Sequence, residues 1–183
     1  MTAKKDTADG AKKSMNAESN AKMTAESNAE ITAETTAFMR EALRLADEAA
    51  RAGEVPIGAV VVKDGTVVGR GRNHTEELKN PFAHAEMAAM QEALETLGGW
   101  RLTGCDMYVT LEPCSMCAGA IVHARIRNLF IGAADPKAGA CGSVLDITSN
   151  PHLNHHPCVR KGILADECSA ILKKFFRQLR RKK

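Results

Sequence analysis

A chain of 183 residues that is 44% hydrophobic has room for one domain with a packed core. No uninterrupted apolar run is long enough to cross a bilayer and no apolar signal-peptide core opens the chain, so a cytoplasmic protein with no membrane contact is expected. The net charge of +3 is unevenly spread: residues 1–36 hold five Lys and six acids, whereas residues 171–183, ILKKFFRQLRRKK, hold seven basic residues and no acid. Such an end suits a polyanionic partner, or is a solvated helix end favoured by the helix dipole.

In chain order, residues 1–36 come first and differ from the rest. The tetrapeptide AESN occurs twice, and the segment is built almost wholly from Ala, Ser, Asn, Thr, Glu, Lys and Met. It cannot bury enough apolar area to offset its ordering entropy, so a disordered or weakly helical extension is expected. A single domain over residues 37–183 follows. Phe38, Ala42, Leu45, Ala46 and Ala49 recur at helical spacing, with Gly53 as a stop. IGAVVVKDGTVVGRGR predicts two strands hinged at Asp64-Gly65. HAEMAAMQEALETLGG predicts a helix ended by Gly98 and Gly99. CDMYVTL predicts a strand, CSMCAGAIVHARI a helix and NLFIGA another strand. Residues 134–157 read as a long loop, and a last helix runs from Asp166 to the end. Strands alternating with helices after an opening hairpin predict a three-layer α/β domain, a mixed sheet covered by helices.

The six cysteines, at 105, 114, 117, 141, 158 and 168, do not form a disulfide framework of the secreted type. Cys105 and Cys168 fall on apolar segments and read as small core residues. Cys141 and Cys158 fall in loop-like sequence and receive no role. Cys114 and Cys117 are a Cys-x-x-Cys pair, which suits zinc or a redox disulfide. A four-cysteine zinc ribbon is excluded because there is no second such pair.

His84 and Glu86 change this balance. They open one helix, and Cys114 and Cys117 open another directly after Glu112-Pro113. One His and two Cys make three ligands. A fourth tetrahedral position is then left for water, which is the arrangement of a catalytic zinc rather than a structural one. Zinc ionises such a water near neutral pH, and a base must carry its proton to a substrate nitrogen. Glu86 is placed for that task. The plainer reading of Glu86 alone is a helix N-terminal acid.

HAE at 84–86 and PCSMC at 113–117 form the signature of the zinc nucleoside and nucleobase deaminases. Together with EVPIGAVVV, GRNH, GAADPKAGACGSVLDI and GILADECSAILKKFFRQLRR, the chain from about Phe38 to Arg181 resembles the bacterial tRNA-specific adenosine deaminases, of the cytidine/deoxycytidylate deaminase superfamily. The resemblance implies a cytidine-deaminase-like fold and a homodimer. It also implies hydrolysis of the wobble adenosine of an arginine tRNA (anticodon ACG) to inosine. His84, Cys114 and Cys117 would hold one zinc per subunit, and Glu86 would shuttle protons. Asn73 would hydrogen-bond the flipped base, although read alone it is a turn residue after a strand. Ile57, Ala85 and Leu111 would line the base pocket, or be plain core. Asp135 and Lys137 would approach the anticodon-loop backbone, and Phe176, Arg177 and Arg180 the flanking nucleotides; core packing is the alternative for at least one of Phe175 and Phe176. Ala134 and Cys141 depart from the family pattern at the flank contacts, not at the zinc ligands.

Other functions share parts of this pattern. A metabolite deaminase acting on guanine or cytidine would have the zinc residues but no need of the basic tail. A catalytically silent RNA-binding subunit would have no need of Glu86. A thiol redox protein would use Cys114 and Cys117 without metal. Of the His-rich loop, 152–156, a shaping role is expected rather than a second metal site.

Overall fold

The computed structural model describes residues 32–181. Most of the extension expected over 1–36 therefore lies outside the described residues. Helix α1, Ala33–Arg51, starts earlier than the expected Ala37 because Thr32 caps it: the Thr32 hydroxyl accepts from the Thr35 backbone N–H at 3.1 Å. Strands β1, Gly58–Lys63, and β2, Thr66–Arg72, follow. They meet at Asp64 and Gly65, both at positive φ (48° and 74°), the mirror-image turn that matches strand twist. The ladder slips at Val61/Val62, a bulge in β2.

A short helix α2, Thr75–Leu78, precedes α3, Ala85–Leu97, which stops at Gly98 in the left-handed region. Then come β3, Asp106–Leu111; α4, Ser115–Ala124; β4, Asn128–Ala133; β5, Cys158–Lys161; and α5, Ala165–Arg181. Helix α2 and strand β5 are additions to the predicted order. Each is four residues long, too short to show a periodicity, and β5 is held by its pairing with β4 rather than by its own sequence.

The sheet order is β2-β1-β3-β4-β5. β1 pairs antiparallel with β2 and β3, whereas β3, β4 and β5 run parallel. This is the three-layer α/β arrangement that the sequence predicts. Alternate strand residues face opposite layers. Ala59, Val61, Met107, Val109, Leu129 and Ile131 pack with Ala85, Ala89 and Ala93 of α3 and Ala118 and Ile121 of α4. Val60, Val62, Tyr108 and Phe130 pack with Met39, Ala42 and Leu45 of α1 and Cys168 of α5. Tyr108 and Phe130 stack at 4.4 Å between ring centroids.

The contact of α3 with β2 is unusually close. A Cβ on Gly69 would lie 2.2 Å from the Ala89 carbonyl oxygen, and one on Gly71 2.0 Å from that of Ala85. Only glycines on the strand and alanines on the helix allow this approach. It seats the first turn of α3 directly on the sheet.

Candidate functional site

His84 and Cys114 occupy equivalent places. Each is the N-cap of its helix, in extended conformation, and neither side chain caps its own helix. Both side chains are therefore free to turn toward each other. His84 Nδ1 lies 3.6 Å from Cys114 Sγ and 3.5 Å from Cys117 Sγ, and the three ligand atoms all lie within 4.8 Å of one another. Nitrogen and sulfur bound to one tetrahedral zinc, at about 2.0 and about 2.3 Å, stand about 3.5 Å apart. The donor set and its spacing thus fit a metal ion. Among the described residues this is the one His/Cys/Asp/Glu group able to hold a metal. His155 and His156 are instead engaged with the carbonyls of Ile126 and Asn150, at 2.6 and 2.8 Å, and brace their loop.

The cluster is electrostatically asymmetric. The Cys117 thiol and the His84 ring both donate toward Cys114 and hold its thiol far below the ordinary range, at about 3. Cys117 moves the other way, because it donates to Cys114 and is buried. His84 is raised by its bond to Cys114, against the effect of burial. Glu86, in the first turn of α3, is 4% exposed. Burial pushes its carboxyl upward; the N-terminal backbone N–H and the His84 ring oppose this. A buried carboxyl whose pKa is raised, beside three metal-ligating atoms, is placed to hold and move a proton.

Asn73 follows β2 and is tied to the same neighbourhood. Its backbone N–H donates to the Ile57 carbonyl at 3.0 Å, and the next residue, His74, donates to the Ala83 carbonyl, also at 3.0 Å. Asn73, Ile57 and the His84 helix start are thereby held together. Ala85 is fully buried in the α3 core layer, and Leu111 is half-buried at the end of β3. Asp135 and Lys137 lie on the loop after β4, where the Ala140 N–H donates to the Pro113 carbonyl at 2.8 Å and Gly139 bridges to Cys114. Phe176, Arg177 and Arg180 are exposed on α5, in the opposite helical layer. Neither Phe175 nor Phe176 is buried; they meet edge to face, 5.5 Å apart.

Two buried carboxylates that sequence reasoning did not single out organise these parts. Glu54, 1% exposed, accepts from Asn73 Nδ2 at 3.0 Å and from the backbone N–H groups of Glu76 and Glu77 at 3.2 and 2.7 Å. Glu112, 2% exposed, accepts from the backbone N–H groups of Asp135, Cys141 and Ser143 and from the Ser143 hydroxyl, with Lys161 Nζ at 3.8 Å. These bonds hold its carboxyl below the usual range although burial opposes them. The available signal was an acid in an otherwise apolar stretch beside a strand, in GEVPIG and TLEPC. Cys141, in sequence a loop residue, is buried in the core beside α4, and burial pushes its thiol to about 12.

The chain is similar to known deaminases. Residues 33–180 match the MafB19-like deaminase family. The chain is 46% identical over 146 residues to the tRNA-specific adenosine deaminase of Bacillus subtilis (strain 168), covering 80% of this chain and 91% of that protein. To the tRNA-specific adenosine deaminase of Agrobacterium fabrum (strain C58) it is 51% identical over 145 residues, covering 79% and 95%. A structure solved in a study of A-to-I editing by tRNA:A34 deaminases at the wobble position of transfer RNA superposes with a TM-score of 0.73 at 51% identity. The match covers 75% of this chain and 99% of that one.

Proposed function

The chain belongs to the MafB19-like deaminases and to the tRNA-specific adenosine deaminases, and from that premise we propose that it hydrolyses the wobble adenosine of an arginine tRNA, anticodon ACG, to inosine with one zinc ion per subunit. The observation that carries the reading is the His84–Cys114–Cys117 cluster with Glu86 buried beside it. His84, Cys114 and Cys117 would hold the zinc, which supplies Lewis acidity that lowers the pKa of a water toward neutral. Glu86 takes a proton from the attacking water and returns it to a nitrogen of the base. Water oxygen adds at C6 of the adenine as the first proton goes to the ring nitrogen; the second proton, from the new C6 hydroxyl, goes to the amino nitrogen, the C6–N bond breaks, ammonia departs and a C6 carbonyl remains.

The wobble adenosine lies in the unpaired anticodon loop, stacked only on its neighbours, and must be turned out of that stack into the site. Asn73, with Ile57, Ala85 and Leu111 around it, would receive the base. Asp135 and Lys137 would face the anticodon-loop backbone, and Phe176, Arg177 and Arg180 the flanking nucleotides by stacking and phosphate charge. Residues 37–183 would form this deaminase domain. We infer a homodimer in the cytoplasm as the working form; no helix among the described residues is long and apolar enough to cross a membrane.

The test is inosine formation on an arginine-tRNA anticodon stem-loop bearing ACG, run beside free adenosine, cytidine and guanine. Inosine at the wobble base with the free compounds untouched is expected. Turnover of a free base with an inert stem-loop replaces the substrate assignment by a metabolite deaminase.

A further inference from the structure

Glu54 has no part in the chemistry above, yet it is among the most deeply buried charged residues described. It lies in the connection between α1 and β1. Its three hydrogen bonds all run inward, from Asn73 Nδ2 and from the backbone N–H groups of Glu76 and Glu77. Helix α2 has no side-chain cap from its own N-cap residue, His74, so Glu54 supplies that cap from a distant part of the chain.

The consequence for Asn73 is directional. A carboxylate only accepts, so the Asn73 NH₂ must face Glu54 and its carbonyl oxygen must face away. On that other side the Thr75 hydroxyl donates to Asn73 Oδ1 at 2.9 Å. The amide is 5% exposed and cannot turn over without breaking both bonds. What remains to it is one N–H and one oxygen lone pair, each at a fixed end.

We infer that Glu54 is a positioning residue: by orienting the Asn73 amide it decides which end donates and which accepts toward the purine, and so sets the base specificity of the site. The inference rests on Asn73 meeting the base, as proposed above. Substitution E54Q is the informative change. Glu54 Oε1 accepts from the Glu77 N–H, whereas Oε2 accepts from both Asn73 Nδ2 and the Glu76 N–H; an amide that keeps its oxygen on Glu77 turns its NH₂ toward Asn73 and demands an acceptor there. Asn73 can turn over, and the Thr75 hydroxyl, able to accept as well as donate, follows it. The Glu76 N–H gives up its acceptor, a loss common to the wild-type and N73A backgrounds, while the donor and acceptor offered to the base exchange places.

The test is a double-mutant cycle on the metal-loaded protein with the anticodon stem-loop. E54Q is expected to lower kcat/KM by about tenfold or more in the wild-type background and by less than about twofold in the N73A background, with metal content unchanged. Equal losses in both backgrounds would make Glu54 a helix cap only, and no loss would leave the orientation to Thr75; either overturns the inference. A second measurement needs no substrate. In the wild-type protein the Asn73 side-chain NH₂, assigned by its disappearance in N73A, is expected to exchange slowly with solvent in the ¹⁵N spectrum. Rapid exchange overturns the inference. A wild-type protein inert on RNA but with a protected Asn73 amide would sink the tRNA reading alone.

Discussion

The Cα of Gly71 stands so close to Ala85 that a Cβ there would reach to 2.0 Å from the Ala85 carbonyl oxygen. Ala85 sits between His84 and Glu86, so this contact fixes the height at which both side chains leave the sheet. G71A is expected to destabilise the protein by about 1–3 kcal/mol, the usual range for overpacking, read from the denaturant midpoint. Metal content should fall with it. A variant with wild-type stability and full metal would mean that α3 can lift off β2 without harm.

Glu86→Gln keeps the shape of the side chain and removes its proton traffic. Turnover is expected to fall by about 10²–10⁴-fold, while metal measured by atomic emission stays near the wild-type level. Loss of the metal in this variant would make Glu86 a ligand instead.

His84→Ala is expected to lose metal and turnover together, since two thiols alone make an incomplete site. Stripping the wild-type protein with a chelator exposes the asymmetry of the sulfurs. Cys114, half-buried and held near 3, is the thiolate. At neutral pH it should be alkylated before Cys117, as read by peptide mass spectrometry. The reverse order would contradict the charge assignment.

Acid sensitivity has a local source in Glu41, which joins α1 to β2. The guanidinium groups of Arg44, at 2.8 Å, and Arg70, at 3.1 Å, hold its carboxyl at about 2 against an ordinary 4.5. A folded value below the unfolded one stabilises the protein above pH 4.5 and ceases to do so as pH falls through 2. Glu41→Gln should therefore flatten the acid limb of a stability-versus-pH curve within that window and lower the plateau above it. An unchanged acid limb would assign the sensitivity to other carboxyl groups.

Removal of residues 173–183 takes away the exposed, basic end of α5. Affinity for the stem-loop should drop and its dependence on salt should flatten, because fewer phosphate contacts release fewer counterions. Full editing activity at physiological salt would deny the tail any share in RNA binding.

How much of this was legible in the sequence depends on how local the signal was. The hairpin could be read because Asp64-Gly65 is a two-residue turn whose backbone preference decides the matter. The His/Cys/Cys cluster that could hold a metal was legible although His84 and Cys114 are thirty residues apart in number, because each carries its own motif and each motif opens a helix. Strand β5 was not legible: CVRK has no alternation and takes its form from Asn128–Ile131 beside it. Glu54 and Glu112 escaped for the same reason. A single acid in an apolar stretch shows only that it must find donors if buried; which donors depends on the loops that the fold folds back over it.

The two outermost strands have one further consequence. β2 ends the sheet with Arg70 and Arg72 and carries the bulge at its ladder with β1; β5 ends it with Arg160 and Lys161 in a strand of four residues. Exposed strand margins are templates for aggregation unless they are short, irregular or charged. Here one margin is bulged and the other is only four residues long. Neither margin offers a second molecule a long, regular ladder, so crowding should not zip this protein into extended sheets.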